Sequence, residues 1–441
     1  MARRANTLAV WINGIHAADW SVTQSKGDEL QYTGNWVHSK VGRPLSLSLP
    51  FNLDNAPVRG ERVRYYFDNL LPDSEVIRQR IQLRYRSRTQ DPFDLLAAVG
   101  RECVGAVQLL PPGEAPKNVR STQFEPLTDR DIEKALKQIT APAGPAGRDD
   151  DDFRISIAGA QEKSAFLLNN GRWCRPMSST PTTHIFKLPL GLIGGIQADM
   201  TGSVENEWLC SRILHHYSLP VANCEIGRFG DEKVLIVERF DRQFYKLGGF
   251  WMRLVQEDFC QALAVPSSLK YERDGGPGIL EIAGILRNSA NRDIDLVTLL
   301  KSQIVFWLLA AGDGHAKNFS LRMLAGGRFT LTPLYDVLSY WPIVGTGPNK
   351  YPYQKARLAM ALRGKNKHYV LSEIHRRHFN ETAAKMGVGN AEGSIQDILT
   401  RTPYVLHQLE DELPKSFPKS ISEPILSGLK TSAESLQGIA K

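Results

Sequence analysis

The sequence predicts an α+β protein in which β-rich units precede a helical lobe, and three observations favour this order. Strand-like patterns open the chain and return between residues 155 and 240. Helical patterns dominate from Asp258 onward. The stretch APAGPAGRDDDD joins prolines and glycines to four consecutive aspartates, a composition typical of a linker. We therefore expect an N-terminal unit at 1–140, a linker at 141–152, a β-rich unit at 153–255 and a helical lobe at 256–441.

The N-terminal unit begins with a hairpin pattern. The Asn13-Gly14 pair lies between two short apolar runs, which is a strong signal for a tight β-turn. Leucines alternate with serines in PLSLSLP (44–50), and this period of two predicts a half-buried strand. A helix is predicted over 74–85, and five arginines fall within 78–88. They indicate a solvated helix face or, less commonly, a patch for nucleic acid or an acidic partner.

The later elements follow from periodicity and capping signals. TDRD at Thr128 resembles a capping box and predicts a helix start. The run LVTLLKSQIVFWLLAAG is apolar on most faces, which predicts a buried helix. The remaining predicted elements are three strands, in ISIAGAQEKSAFLL, THIFKLPL and EKVLIVERFD, and one helix, in ENEWLCSRILHHY.

Composition and charge restrict the class of protein only loosely. Lys and Arg outnumber Asp and Glu by 54 to 47, a net charge of +7 that suits polyanions and is also compatible with an ordinary basic surface. The five cysteines are widely spaced and form no CxxC pair, which favours reduced thiols. The apolar run 304–311 is too short to cross a bilayer. We expect a cytoplasmic protein with no membrane partner.

The sharpest chemical signal is the hexapeptide DGHAKN (313–318), directly after the predicted buried helix. Phosphoryl transfer requires a carboxylate that orients the attacking hydroxyl and an oxygen ligand for Mg²⁺. Asp313 and Asn318 are five positions apart, the separation of Asp and Asn in a protein-kinase catalytic loop. The spacing alone is equally compatible with a polar cap and loop, so it leaves both interpretations open.

Two further residues favour phosphoryl transfer. Asp336 follows a short strand pattern in FTLTPLYDVLS, where a second carboxylate for Mg²⁺ is expected. Lys187 lies within the apolar run HIFKLPL, where a lysine either extends outward or points into a cleft to meet phosphates. The acidic residues downstream favour the cleft. As the acidic partner of Lys187 we expect Glu207 rather than Glu205.

SIAGAQEK (156–163) is a candidate phosphate loop. Gly159 lies between two alanines, so backbone N–H groups can approach an anion there, and Ser156, Gln161 and Lys163 add donors. The segment matches neither a Walker A motif nor the kinase G-x-G-x-x-G pattern. A tight β-turn is the simpler alternative.

Many ordered segments resemble the HipA family of bacterial toxin kinases, and the resemblance covers nearly the whole chain. The segments that carry it are RPLSLSLP, YFDNLLPDS, QDPFDLLAAVGRECVGAVQL, DFRISIAGAQEK, TPTTHIFKLP, VENE, VERFDR, QEDFCQAL, KYERDGGPGI, GDGHAKNFS and LTPLYDVLS. The resemblance implies a two-lobed protein-kinase-like fold with an additional N-terminal β-rich subdomain and a mostly helical C-terminal lobe. It also implies an ATP- and Mg²⁺-dependent protein serine/threonine kinase.

The resemblance further implies individual roles. Asp313 would be the catalytic base, and Asn318 and Asp336 would bind Mg²⁺. The residues implied to meet ATP are Ile157, Ala158, Gly159, Ala160, Gln161, Glu162, Lys163, Lys187, Glu238, Arg239, Phe240, His315, Lys317, Asn318 and Asp336. Within this set, the step 238–240 would hold adenine through backbone groups. The sequence departs from ordinary kinases after Asp336, where Val-Leu replaces Phe-Gly.

The family resemblance also implies regulation and partners. Ser156 matches the serine that family members autophosphorylate to inactivate themselves, and a phosphate there would oppose a loop that binds phosphate. The implied substrate is glutamyl-tRNA synthetase, whose inhibition would stop translation and promote persistence. The implied partners are a HipB-like helix-turn-helix antitoxin and, through it, operator DNA.

Other functions remain compatible with the sequence. One alternative is an antitoxin-bound corepressor, in which the basic stretch KARLAMALRGKNKHY and the following HRR would touch DNA phosphates. A metal-dependent hydrolase would use His315 and Asp313 with a bound water, although no second His stands at ligand spacing. A pseudokinase is the third alternative, but every side chain required for transfer is present.

Overall fold

A computed structural model describes residues 6–23, 25, 27–140, 158, 159 and 161–438. The predicted linker 141–152 lies outside these residues, as do Ser156, Ile157 and Ala160. Within the described part of the chain, no helix is both long and apolar enough to span a bilayer.

The N-terminal unit is an antiparallel sheet covered by short helices. Its strands are β1 (Thr7–Ile12), β2 (Ile15–Thr23), β3 (Gly27–Tyr32), β4 (Val58–Arg59) and β5 (Val107–Leu110), in the spatial order β4-β3-β2-β1-β5. The predicted hairpin is confirmed: Asn13 and Gly14 both have positive φ (47° and 82°), as a tight turn between β1 and β2 requires.

The helices of this unit are α1 (Gly34–Val37), α2 (Glu61–Asp68), α3 (Glu75–Tyr85) and α4 (Pro92–Val99). Trp20 of β2 stacks on Phe67 with ring centroids 4.0 Å apart and meets Phe93 edge-on, which fixes α2 and α4 on the sheet. The predicted helix α3 is confirmed and lies at the surface. Its arginines are partly used internally, since Arg78 binds Asp68 and Arg80 binds Glu162, each at 2.6 Å.

The prediction of a strand at PLSLSLP is wrong. No strand forms there, although Leu45 and Leu49 are fully buried. The backbone of the segment bonds to side chains instead of a neighbouring strand: the Leu45 N–H donates to the Tyr32 hydroxyl at 2.9 Å, and the Leu47 N–H donates to Glu257 Oε1 at 2.9 Å. The alternation therefore reflects burial of leucines in an irregular segment.

The second unit is a six-stranded sheet with a helix on each face. Its elements are β6 (Phe124–Pro126), α5 (Asp129–Thr140), β7 (Lys163–Asn169), β8 (Arg172–Pro176), β9 (His184–Lys187), β10 (Gly191–Ile193), β11 (Ala198–Met200), α6 (Ser203–His216), β12 (Cys224–Phe229) and β13 (Glu232–Glu238). The order in the sheet is β12-β13-β9-β7-β8-β6, and β10 and β11 form a separate hairpin. The predicted capping box is present, because Thr128 and Asp131 exchange side-chain to backbone hydrogen bonds.

The predicted boundary between the first two units must move upstream. Strand β6 pairs with β8, and Ile132 and Leu136 of α5 pack against Phe166 and Phe186 of the six-stranded sheet. Residues 124–140 therefore belong to the second unit. The Pro/Gly/Asp-rich stretch indicated a break in regular structure, but composition alone did not show that the helix before it packs on the strands after it.

The third unit is mostly helical. Its elements are β14 (Arg242–Tyr245), β15 (Phe250–Arg253), β16 (Gln256–Asp258), α7 (Phe259–Ala262), α8 (Ile279–Leu286), α9 (Arg292–Leu308), β17 (Ser320–Met323), β18 (Phe329–Leu331), β19 (Arg357–Arg363), β20 (Lys367–Val370), α10 (Arg376–Met386), α11 (Glu392–Glu412) and α12 (Lys419–Gln437). The predicted buried helix is confirmed as α9, whose second half lies in the main core.

A buried ion network joins the N-terminal unit to the other two. Glu102, between α4 and β5, accepts from Arg242 at 2.9 Å and from Arg253 at 2.5 Å. Arg239 also reaches Glu102, at 3.2 Å, and binds Asp241 at 2.7 Å. These guanidinium groups are almost fully buried, so the network fixes the end of β13 against residues 102–105.

Candidate active site

Lys187, Glu207 and Asp336 form one buried cluster. Lys187 ends β9, and its ammonium lies 2.6 Å from Glu207 Oε1 of α6 and 2.9 Å from Asp336 Oδ1. Glu205, two residues earlier on the same helix and also buried, pairs with Lys233 at 2.6 Å. The expectation that Lys187 pairs with Glu207 rather than Glu205 is therefore confirmed.

The two carboxyl groups of this cluster have pKa values shifted in opposite directions. Burial alone would raise the pKa of Asp336, but the ammonium groups of Lys187 and Lys163 outweigh it and hold that pKa well below its usual range. Burial raises the pKa of Glu207 to about 6 against the opposing effect of Lys187, and the negative charge of Asp336 adds to the rise. Asp336 also has φ of 62°, a conformation that non-glycine residues adopt at a small cost and that concentrates at functional sites.

Asp313 lies in the loop that follows α9. Its Oδ1 accepts a hydrogen bond of 2.5 Å from the Tyr271 hydroxyl, and its backbone oxygen accepts one of 2.7 Å from Asn318 Nδ2. Desolvation raises the pKa of Asp313 to about 6, against the opposing effect of the Tyr271 hydrogen bond. The Asp313 side chain remains 42% exposed, so it can meet a group that enters the space between this loop and the Lys187–Asp336 pair, which is called the cleft below.

The side chains of His315 and Lys317 are both buried. The imidazole of His315 is buried, packs edge-on against Tyr271 and has a pKa lowered to about 3, mainly by burial, so it is neutral at pH 7. The ammonium of Lys317 is also buried and lies 2.7 Å from Asp73 of the N-terminal unit. Among the described residues, no group of three or more His, Cys, Asp or Glu side chains could hold a metal ion.

The described part of the candidate phosphate loop borders the same cleft. Gly159 has φ of 112°, and a Cβ there would lie 2.6 Å from Lys163 Nζ, so both backbone and space favour glycine. Lys163 donates to the Ala158 carbonyl at 2.5 Å, and burial lowers its pKa to about 8. Gln161 donates to the Leu188 carbonyl, while Glu162 binds Arg80.

The step at 238–240 begins at the last residue of β13. The backbone N–H of Glu238 donates to Asn223, and that of Arg239 donates to Thr183, each at 2.9 Å. The Arg239 side chain belongs to the Glu102 network described above. The ring of Phe240 lies 5.6 Å from that of Tyr335, next to Asp336. Contact with adenine at this step stays a prediction.

Sequence reasoning missed three residues of this cleft: Asp73, Lys270 and Tyr271. Lys270 binds Asp73 at 2.8 Å, and Tyr271 binds Asp313. All three lie in segments that carry the family resemblance, Asp73 in YFDNLLPDS and the other two in KYERDGGPGI, but neither segment has a residue spacing that indicates a catalytic or binding role. Their roles depend on contacts between residues far apart in the chain.

Comparison with known proteins identifies the family. The model of the HipA N-terminal domain matches residues 8–110, and the model of the HipA-like C-terminal domain matches residues 155–406. Y4mE, a kinase-like protein of Sinorhizobium fredii, is 31% identical over 386 residues, which cover 87% of this chain and 86% of that protein.

Two comparisons involve Shewanella oneidensis. Its serine/threonine-protein kinase toxin HipA is 29% identical over 325 residues, covering 70% of this chain and 69% of that protein. The solved complex of Shewanella oneidensis HipA, HipB and operator DNA matches with a TM-score of 0.77 and 21% identity, over 98% of this chain and 97% of that chain. The match confirms the predicted α+β, kinase-like fold. Together, the two domain models and the relatives show that the chain belongs to the HipA family.

Proposed function

We propose that the protein is an ATP- and Mg²⁺-dependent protein serine/threonine kinase and the toxin of a toxin–antitoxin module. The observation that carries the proposal is that Lys187, paired with Glu207 and Asp336, lies near the Asp313–Asn318 loop, close enough for the Asp336 charge to raise the pKa of Asp313. Relatives that share most of the chain's length are named as kinases. This combination of a buried Lys–Glu pair, a loop Asp and Asn, and a further Asp is what phosphoryl transfer needs.

The polar atoms of the cleft fit Mg²⁺. The amide nitrogen of Asn318 donates to Asp313, which leaves Asn318 Oδ1 as an acceptor. Asp336 uses Oδ1 for Lys187, and its second oxygen remains for a cation. One carboxylate and one amide oxygen suit a Mg²⁺ ion that keeps waters and phosphate oxygens as its other ligands. When bound, the ion would neutralise charge on the phosphates.

The proposed roles of the chain's own residues follow from their positions. Asp313 would accept a hydrogen bond from the serine or threonine hydroxyl and orient its oxygen toward the γ-phosphate. Because its pKa is about 6, Asp313 is ionised in most molecules at pH 7. Lys187 and Lys163 would contribute positive charge beside the phosphates, and backbone groups at 238–240 would meet adenine.

Substrate and self-modification are finer parts of the same proposal. The family resemblance supports glutamyl-tRNA synthetase as substrate, with inhibited translation and persistence as consequences. It also supports autophosphorylation of Ser156, next to a loop that approaches the cleft at Gly159 and Lys163. Mass spectrometry of the 154–163 peptide after incubation with ATP tests this modification, and an unmodified peptide would count against it.

A role as corepressor is supported by a different observation. The solved relative is held in a complex with HipB and operator DNA. In this chain, basic side chains of β19, β20 and α10 share one region, where the Lys385 ammonium bonds to the Gly364 carbonyl of the β19–β20 turn. Phosphate contacts from such a region would strengthen DNA binding by an antitoxin complex in a salt-dependent way.

The decisive experiment is transfer of label from γ-labelled ATP to the protein itself and to purified glutamyl-tRNA synthetase. We expect label on protein with the wild type in the presence of MgCl₂, and none with Asp313→Asn. Binding of the cognate antitoxin by Asp313→Asn should be unchanged, which separates the kinase from the corepressor role. Equal labelling by wild type and Asp313→Asn would overturn the assignment of this cleft.

A further inference from the structure

Asp73 connects the N-terminal unit to three parts of the candidate active site. It lies between α2 and α3, and its side chain is only 12% exposed. One carboxylate oxygen binds the Lys317 ammonium at 2.7 Å, and the other binds the Lys270 ammonium at 2.8 Å. Its backbone N–H donates to the Gly159 carbonyl at 3.0 Å. A single residue therefore touches the catalytic loop, the segment before Tyr271 and the phosphate loop.

Each contact leads directly to a group that the proposed transfer uses. Lys317 is one residue before Asn318, the proposed Mg²⁺ ligand. Lys270 immediately precedes Tyr271, whose hydroxyl bonds to Asp313. Gly159 stands next to Ala158, whose carbonyl holds the Lys163 ammonium. Displacing Asp73 would therefore release one restraint on each of the three segments.

The charges make Asp73 difficult to replace. Two lysines converge on it in a buried site, and their attraction outweighs the effect of burial, so the pKa of Asp73 is held well below its usual range. Without the carboxylate, the two ammonium groups would repel each other in a poorly hydrated place. They would relieve this repulsion by moving apart, which would shift the loop that carries Asp313 and Asn318 and the segment that carries Tyr271.

We propose that Asp73 is a positioning residue of the kinase, through which the N-terminal unit sets the geometry of the catalytic loop, Tyr271 and the phosphate loop. The inference rests on the proposed kinase function. It makes the N-terminal unit a working part of the active site, in addition to any role in binding partners.

The test compares Asp73→Asn with Asp68→Asn in the full-length protein. Asp68 is a matched control: it lies in the same segment, its side chain is 15% exposed, and it binds Arg78 and Ser267, neither of which belongs to the catalytic loop. We expect Asp73→Asn to lower kcat for phosphate transfer at least about tenfold while KM for ATP changes less than threefold, because misplacement of reacting groups affects the rate more than binding. Asp68→Asn should stay within threefold of wild type, and Asp73→Glu should recover part of the lost kcat.

A second variant protects the test against misfolding. If Asp73→Asn fails to fold, Lys270→Gln removes one of the same contacts from the opposite side, and we expect a similar selective loss of kcat. A kcat within twofold of wild type for a folded Asp73→Asn, or equal losses for Asp73→Asn and Asp68→Asn, would overturn the inference. An inactive wild-type protein would instead contradict the proposed kinase function, so the two failures are distinguishable.

Discussion

Glu102 and Asp336 are both carboxylates that face buried cations, but their surroundings differ. The two oxygens of Glu102 accept six hydrogen bonds, from Thr182, Arg239, Arg242 and Arg253, and the side chain is 10% exposed. Asp336 binds Lys187 through one oxygen and is 29% exposed. The saturated carboxylate joins structural units, whereas the unsaturated one keeps capacity for a ligand. Buried charge alone therefore does not identify the candidate active site. What distinguishes the two clusters is how many lone pairs of each carboxylate are not used in hydrogen bonds within the protein.

The largest expected effect is on activity, at Asp336. Asp336→Asn removes the charge that would hold the cation and balance Lys187, so phosphate transfer should fall by about 10²–10³-fold or more. Thermal unfolding of the variant measures how much of the loss comes from destabilisation, since the lowered pKa of Asp336 means that its ionised form also stabilises the fold. The control is Asp397→Asn, which disrupts an aspartate–lysine pair at 2.6 Å in the helical lobe, outside the cleft, and should retain full transfer.

The second largest effect is on stability, at Glu102. Glu102→Ala leaves the buried guanidinium groups of Arg242 and Arg253 without their carboxylate, and we expect the free energy of unfolding to fall by about 3–5 kcal/mol. Denaturant titration measures this. Glu412→Ala is the matched surface control, because Glu412 binds Arg212 at the protein surface and should contribute no more than about 1 kcal/mol. Equal losses for both variants would contradict the distinction.

Neighbouring glutamates on α6 provide a sharper comparison within one helix. Glu207→Gln removes the partner that orients Lys187, and we expect kcat/KM for ATP to fall about 10- to 100-fold. Glu205→Gln affects only the pair with Lys233 and should stay close to wild type. Steady-state kinetics of the two variants distinguish these outcomes, and a larger loss for Glu205→Gln would show that the cleft is wrongly assigned.

The smallest expected effect is a pH dependence at Glu257. Burial raises the pKa of this fully buried carboxyl to about 8, while its Oε1 accepts from the Leu47 N–H. Because the folded protein then binds a proton that the unfolded chain loses near pH 4.5, this residue's contribution is complete below pH 4.5 and declines as the pH rises toward 8. Glu257→Gln should remove that slope, by about 1 kcal/mol per pH unit. Unfolding of both proteins at pH 6, 7 and 8 tests this, and parallel pH dependences would contradict it.

The sequence predicted those features whose signals are local. The Asn13-Gly14 turn and the buried helix α9 each depend on a few adjacent residues, and the roles expected from the spacing of Asp313 and Asn318 stay predictions. The strand expected at 44–50 failed, because its backbone partners are the side chains of Tyr32 and Glu257, which periodicity cannot reveal. The link between Asp73 and Lys317 spans 244 positions and follows only from the tertiary structure.

The most direct test of the account measures activity and folding together in three proteins. Wild type, Asp313→Asn and Glu102→Gln are assayed for transfer from γ-labelled ATP, and the folded fraction of each sample is determined by thermal unfolding. We expect Asp313→Asn to be as stable as wild type and inactive. Glu102→Gln should be less stable, with transfer per folded molecule near that of wild type. Full transfer by Asp313→Asn would contradict the central claim that the chemistry resides in the cleft of Asp313, Asn318 and Asp336.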